Sequence, residues 1–278
     1  MSVQKTFFES LSQRKAGILP RLPDKQASEE FINQLYQFLF LPVTDETRSP
    51  EALAETFDQL QIHLSNILID VFEDENETDN IAASFFNKIP EVYDTLLKDA
   101  DAFLKFDPAA RSHEEVVLAY PGFFAIAVYR FANALHQLEI PLLPRVLTEY
   151  AHGRTGVDIH PGAKIGESFL IDHGTGVVIG ESTEIGKNVV IYQGVTIGAL
   201  HVSKELASVK RHPTIEDNVI IYSGATILGG HTVIGRNSII GGNVWLTNSV
   251  NPDAVVYQKS EVIVRTKYPE NEFLNFVI

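Results

Sequence analysis

VDIHPGAKIGESFLIDHGTGVVIGESTEIGKNVVI, residues 157–191, places isoleucine at 159, 165, 171, 179, 185 and 191. Every step is six residues except one of eight. An amphipathic helix repeats every 3.6 residues and a half-buried strand every two, so neither accounts for this series. A period of six is the mark of hexapeptide repeats, which wind into a parallel β-helix. The series continues through Ile197, Ile215, Ile221, Ile227, Ile234, Ile240 and Leu246. Three short strands make one triangular coil of about 18 residues. The aliphatic side chain of each repeat points into the prism, and Gly or Asn takes the tight corner.

The breaks in the period mark where something is added. Ile171 to Ile179 gains two residues beside Asp172-His-Gly-Thr-Gly176, and Ile227 to Ile234 gains one beside Gly229-Gly-His231, which reads as a bulge. Ile197 to Ile215 spans 18 residues, yet Ala199 to Lys210 fits no repeat and reads as a loop thrown out of the coil. Insertions in repeat proteins map to one face, often the binding face.

Composition bounds the function. The 278 residues have room for two domains, and 45% hydrophobic content supports a sizeable core. A net charge of −14 argues against a nucleic-acid partner, which needs a basic face. With no Cys, disulfides, Cys-ligated metals and an acyl-thioester on the protein are excluded. Ala119 to Leu138 is apolar, but Pro121, Arg130, Asn133 and His136 interrupt it, so no membrane span is expected. The opening residues lack a signal-peptide pattern, and the chain reads as soluble and cytoplasmic.

Residues 1–154 read differently. Three- and four-residue apolar spacings predict helices over Phe31–Leu41, Glu51–Phe72, Glu91–Phe106, Glu114–Leu138 and Leu143–Tyr150. The acidic run from Glu73 to Asp79 reads as a solvated loop or a helix end. An all-helical domain of residues 1–154 therefore precedes a β-helix of residues 155–256, with a tail of residues 257–278 that carries no repeat.

Two clusters carry candidate chemistry. Asp158 and His173 are 173 − 158 = 15 residues apart, close to one coil, which suggests side chains near one edge of neighbouring coils. An acid beside a His fixes the ring tautomer and supports it as a base. His160 shares a face with Asp158 by strand alternation and reads as structural. The second cluster, Lys210-Arg-His-Pro213, ends the excursion and offers an Arg fork suited to a carboxylate. With Lys204 it makes a basic patch.

The motifs Asp107-Pro-Ala109, Gly122-Phe123, Val157-Asp-Ile-His-Pro161, Ala163-Lys-Ile-Gly166, Asp172-His-Gly-Thr-Gly176, Gln193 with Val195-Thr196, and Arg211-His-Pro213 resemble the serine acetyltransferases. The resemblance runs from about Asp107 to Leu246 and implies an α+β chain: an N-terminal helical domain before a left-handed parallel β-helix. It implies transfer of an acetyl group from acetyl-CoA to L-serine, with no metal. It gives His173 as general base and Asp158 as the acid orienting it. Asp107 and Asp172 would hold the substrate ammonium, and Arg211 with His212 its carboxylate. Acetyl-CoA would lie between two β-helices of a homotrimer, near Ala199, Ser223 and Lys210. Trimers in this family often pair into hexamers. The C-terminal Ile278 would be a ligand for O-acetylserine sulfhydrylase. The excursion replaces the family's usual glycine-rich stretch, and Pro252-Asp-Ala-Val-Val-Tyr257 replaces its usual Gly-Val-Pro-Ala segment.

Two other readings remain open on the sequence. One is acetyl transfer to another small hydroxylated or amino acceptor. The other is no transfer at all: a scaffold that binds the sulfhydrylase, or a zinc hydrase using His160, His173 and His212.

Overall fold

The computed structural model describes residues 3–18, 22–41, 48–72, 74–200 and 209–259. Its helices are α1 (Val3–Ile18), α2 (Lys25–Phe40), α3 (Pro50–Ile69), α4 (Glu75–Phe86), α5 (Ile89–Phe106), α6 (His113–Ala119), α7 (Pro121–His136) and α8 (Leu143–Thr155). Short polar side chains start several of them. The Asp24 carboxylate accepts from Ala27 N at 2.8 Å, and Ser49 Oγ from Ala52 N at 3.1 Å. From Asp74 onward the acidic run is a helix end. Asp74 caps α4, and Glu75 and Glu77 sit in its first turn, where the positive end of the helix favours them.

The helix expected over Glu114–Leu138 is two. Pro121 opens α7 as its first residue, and α6 meets α7 at 77°. Proline lacks the N–H that a continuous helix would need there, but suits a first turn. No single described helix is long and apolar enough to cross a membrane. Most of α7 is buried inside the protein. Its polar residues dock the β-helix: Tyr129 Oη donates to Ala163 O at 2.6 Å, and Asn133 Nδ2 to Pro161 O at 2.7 Å.

Gly156, at φ 72°, ends α8 in the left-handed conformation and the β-helix begins. Among the described residues, fourteen strands, numbered in chain order, form three parallel sheets. The first sheet holds β1 (Asp158–Ile159), β4 (Val178–Ile179), β7 (Thr196–Gly198), β10 (Thr226–Leu228) and β13 (Trp245–Leu246). The second holds β2 (Lys164–Ile165), β5 (Glu184–Ile185), β8 (Thr214–Ile215) and β11 (Val233–Ile234). The third holds β3 (Leu170–Asp172), β6 (Val190–Tyr192), β9 (Ile220–Ile221), β12 (Ile239–Ile240) and β14 (Val255–Val256). The coil is left-handed, and β14 adds a rung beyond the point where the repeat fades in the sequence.

The repeat isoleucines stack as the period predicts. Ile159 pairs with Ile179, Ile179 with Ile197 and Ile197 with Ile227, all buried. Ile165 and Leu246 are only partly buried. Burying one such side chain is worth about 1.5–3 kcal/mol. Ile185 pairs with Ile215, so the excursion leaves the register intact. Crossing this corner takes six residues from Ile179 to Ile185 but 18 from Ile197 to Ile215; the 12 extra match Ala199–Lys210. Residues 201–208 lie outside the described ones.

The corners follow backbone chemistry. Asn188, Asn218, Asn237 and Asp253 each have φ between 56° and 61°, a conformation that short polar side chains tolerate. Their side chains make a ladder: Asn188 Nδ2 to Asn218 Oδ1 at 3.2 Å, Asn218 to Asn237 at 3.1 Å, and Asn237 to Asp253 at 2.8 Å.

Candidate active site

The two residues added between Ile171 and Ile179 build the corner that leads from β3 to β4. Asp172 ends β3 facing outward. His173 follows at φ 57°, the same left-handed conformation that Asn188, Asn218, Asn237 and Asp253 take at other corners of the coil. Its side chain is 71% exposed, with Nε2 3.7 Å from Asp172 Oδ2. Gly174, at φ 84°, turns the chain inward, and a Cβ there would come within 2.7 Å of Val157 Cγ2.

Against this corner stands Asp107, the C-terminal cap of α5. Its Oδ2 accepts from Tyr120 Oη at 2.8 Å, and its Oδ1 from Ala109 N at 2.8 Å. Burial, followed by this hydrogen bond and the charges of Asp107, Glu115 and Asp172, pushes the Tyr120 hydroxyl up to about 12. Tyr192 lies one rung above Asp172, in register with it. Burial raises its hydroxyl too, helped by Asp172, Tyr222 and Asp107. Asp107, Tyr120, Asp172, His173 and Tyr192 thus gather two carboxylates and a His, a setting for a cation.

The second cluster forms where the first sheet turns into the second. His212 is buried, and its Nδ1 accepts from Ser182 N at 3.1 Å and stands 2.9 Å from Ser182 Oγ. Nδ1 as acceptor leaves the proton on Nε2. Burial pushes His212 down to about 4, with Arg211 acting in the same direction, so the ring is neutral at pH 7. Arg211 N donates to Ser182 Oγ at 2.9 Å, and its guanidinium bonds Glu181. Against the upward push of burial, Arg211, His160 and His212 hold Glu181 below its ordinary value. Burial lowers His160, and Gly162 N donates to its Nδ1 at 3.1 Å. Lys210 Nζ donates to Ser182 O at 3.1 Å and stands 3.5 Å from Glu184 Oε2.

Within one chain the two clusters do not meet. The first sits where the third sheet turns into the first, and the second sits at the far side of the first sheet. At about 3.3 Å per residue, the strand between them separates the corners by roughly 15–20 Å. Nor is Asp158 brought to His173. Alternation about buried Ile159 turns Asp158 outward beside α8, where Arg145 Nη1 donates to it at 3.1 Å. The acid beside His173 is Asp172.

Of the expected cofactor residues, Ser223 lies above the first cluster, one residue past Tyr222. Ala199 follows β7 directly, on the side of the second cluster with Lys210. Lys204, His201 and Ile278 lie outside the described residues. Sequence reasoning missed Tyr120, Glu181, Ser182 and Tyr192. Ser182 was legible in the coil register, since 212 − 182 equals the 214 − 184 that pairs β5 with β8. Tyr120 carried no such signal.

Metal-capable side chains converge on one group of three among the described residues, Glu149, His152 and Asp158. Arg145 crosses it, bonding both carboxylates with its own positive charge. His173 stands at a different corner from His160 and His212.

No family model matches the chain. Individual proteins do. A plasmid-borne serine acetyltransferase of Synechococcus elongatus is 50% identical over 183 residues, 64% of this chain and 57% of that protein. The serine acetyltransferase of Bacillus licheniformis is 46% identical over 170 residues, 61% of this chain and 77% of that protein. The chain belongs to the serine acetyltransferases. Solved serine acetyltransferases share its fold over more than four fifths of the chain. Isoform 3 of Entamoeba histolytica, solved with cysteine, superposes with a TM-score of 0.78 at 32% identity, over 86% of this chain and 84% of that one. The Brucella abortus serine acetyltransferase, solved with coenzyme A, gives 0.61 at 26% identity, over 84% and 80%.

Proposed function

We propose that this chain transfers the acetyl group of acetyl-CoA to the hydroxyl of L-serine, giving O-acetyl-L-serine and CoA, a step toward cysteine. The observation carrying this reading is the pair of corners with complementary chemistry. Asp107 and Asp172 suit an ammonium group, while Arg211 and the Nε2–H of neutral His212 suit a carboxylate. An amino-acid zwitterion needs both, and holding both ends orients the hydroxyl between them.

The ends of one amino acid cannot span a whole sheet. A second copy of the chain therefore completes the site, its Arg211 corner facing the His173 corner of the first, as in the expected trimer. His173 takes the serine hydroxyl proton as the serine oxygen attacks the thioester carbonyl. The tetrahedral oxyanion collapses, the carbon–sulfur bond breaks, and the thiolate leaves to take a proton. No covalent acyl-enzyme intervenes. By the family resemblance Asp158 would orient His173, which it does not reach within one chain, while Asp172 is the acid already beside it; Asp158→Asn and Asp172→Asn separate the two. The cytoplasm is the proposed location, and Ile278 the proposed ligand of O-acetylserine sulfhydrylase, tested by loss of co-purification when Ile278 is deleted.

The decisive experiment follows CoA thiol release from acetyl-CoA with L-serine, D-serine, L-homoserine, L-threonine and galactose, alongside His173→Ala. Release with L-serine alone, lost in the variant, supports the reading. Release with another acceptor moves the substrate, and none with any acceptor overturns the reading.

A further inference from the structure

The outward residues at the end of the third sheet form a column: Asp172, Tyr192, Tyr222, Gly241 and Tyr257. Asp172 pairs with Tyr192 across β3 and β6. Tyr222 N donates to Ile240 O at 2.8 Å and Gly241 N to Val256 O at 2.8 Å, which sets Tyr222, Gly241 and Tyr257 on successive rungs. The Tyr192 and Tyr222 rings are stacked, with centroids 5.1 Å apart and planes inclined by 11°. Above them the column skips one ring. Gly241 has no side chain, and Tyr257, largely exposed, stands on the next rung. A Cβ built on Gly241 would lie 3.5 Å from Tyr257 Cβ, so the missing position is directly beneath that tyrosine.

We infer that the gap left by Gly241 between Tyr222 and Tyr257 is a stacking slot for a flat heteroaromatic ring, the adenine of the acetyl-CoA donor. Strands repeat about every 4.8 Å, so two rungs leave roughly 10 Å between the flanking tyrosines. One ring midway sits about 5 Å from each, within the range of stacked aromatic pairs. The column also has a direction. Its foot is Asp172, beside His173, so a donor reacting there has its ring three rungs higher along the same edge. Ser223, next to Tyr222, borders the same path. The assignment rests on the proposed acetyl transfer and adds where the nucleotide end is held.

The test separates the nucleotide from the reaction. Adenosine 3′,5′-bisphosphate, the nucleotide end of CoA, is titrated calorimetrically against the full chain, Gly241→Leu, which fills the slot, and Tyr257→Ala, which removes one wall. Stacking of a base on an aromatic side chain is worth about tenfold in affinity. Each variant is expected to bind the bisphosphate about tenfold more weakly, with unchanged circular dichroism. KM for acetyl-CoA rises by a similar factor, while KM for S-acetylpantetheine, which lacks the nucleotide, stays level. Equal bisphosphate binding by all three proteins, or none by the unsubstituted chain, overturns the slot. An unsubstituted chain that acetylates nothing, yet binds the bisphosphate through the slot, loses the proposed reaction and keeps the slot.

Discussion

Arg130 of α7 and Asp99 of α5 form a buried two-pronged ion pair, with Nε 2.5 Å from Oδ2 and Nη2 2.9 Å from Oδ1. The pair also ties the helical domain to the β-helix. Arg130 Nη2 donates to Gly166 O at 2.7 Å, and Asp99 Oδ1 accepts from Phe169 N at 2.9 Å. Removing one partner of such a pair leaves a charge stranded away from water, at a cost of about 3–5 kcal/mol. Asp99→Ala should therefore lower Tm by about 10 °C. Asp99→Ala with Arg130→Met should recover part of that loss. Thermal melts of the three proteins check it; an unchanged Tm in Asp99→Ala would show that the pair contributes nothing.

Tyr120 is expected to act through Asp107. Tyr120→Phe keeps the ring packed edge-on against Phe103 and removes only the hydroxyl bonded to the carboxylate. A hydrogen bond to a charged group is worth about 1.5–3 kcal/mol, so KM for serine should rise about tenfold or more. KM for acetyl-CoA should stay level. Steady-state kinetics with each substrate varied distinguishes this from general damage, which would move both.

A site shared between copies predicts complementation. His173→Ala removes one corner's chemistry and Arg211→Ala the other's, and each variant alone should lose a hundredfold or more in activity. Co-expressed and purified as mixed oligomers, they should regain activity, because some sites then join an intact His173 corner to an intact Arg211 corner. Two inactive proteins that stay inactive when mixed would place a whole site on each chain.

The buried His212 sets a pH dependence. Its folded-state value of about 4 lies below the ordinary histidine value of 6.5, so the unfolded chain binds the proton first. Stability from this group is full above pH 6.5 and declines as the pH falls toward 4, by at most about 3 kcal/mol. His160, lowered by burial, acts in the same direction. Urea unfolding between pH 4 and pH 7 measures the slope, which His212→Gln should reduce; an equal slope in both proteins would remove His212 as its source.

The isoleucine period made the β-helix legible because each inward residue answers to a local rule, one side chain per six-residue repeat and three per turn of the prism. Corner residues were legible for the same reason, as Asn188 and Asn218 take backbone conformations few other residues tolerate. Pro121 shows in the sequence as an interruption of an apolar run, whereas the 77° turn that makes it the start of a new helix comes from packing. The exposed apolar residues of α1, Phe7 and Phe8 among them, gave no periodic face to read.

Residue types and coil register by themselves determined the architecture, the Asp172-His173 corner and the Arg211-His212 corner. Repeat spacing is a local property, and stacking carries it from rung to rung. Only the tertiary structure decided which side chains meet. It gave Asp158 to Arg145, set Tyr120 against Asp107 across a helix break, and parted the two halves of the site by the width of a sheet. The first two depend on how α5, α7 and α8 pack on the prism, through contacts between residues far apart in the chain; the third is the length of a strand within the prism, which no single residue type announces.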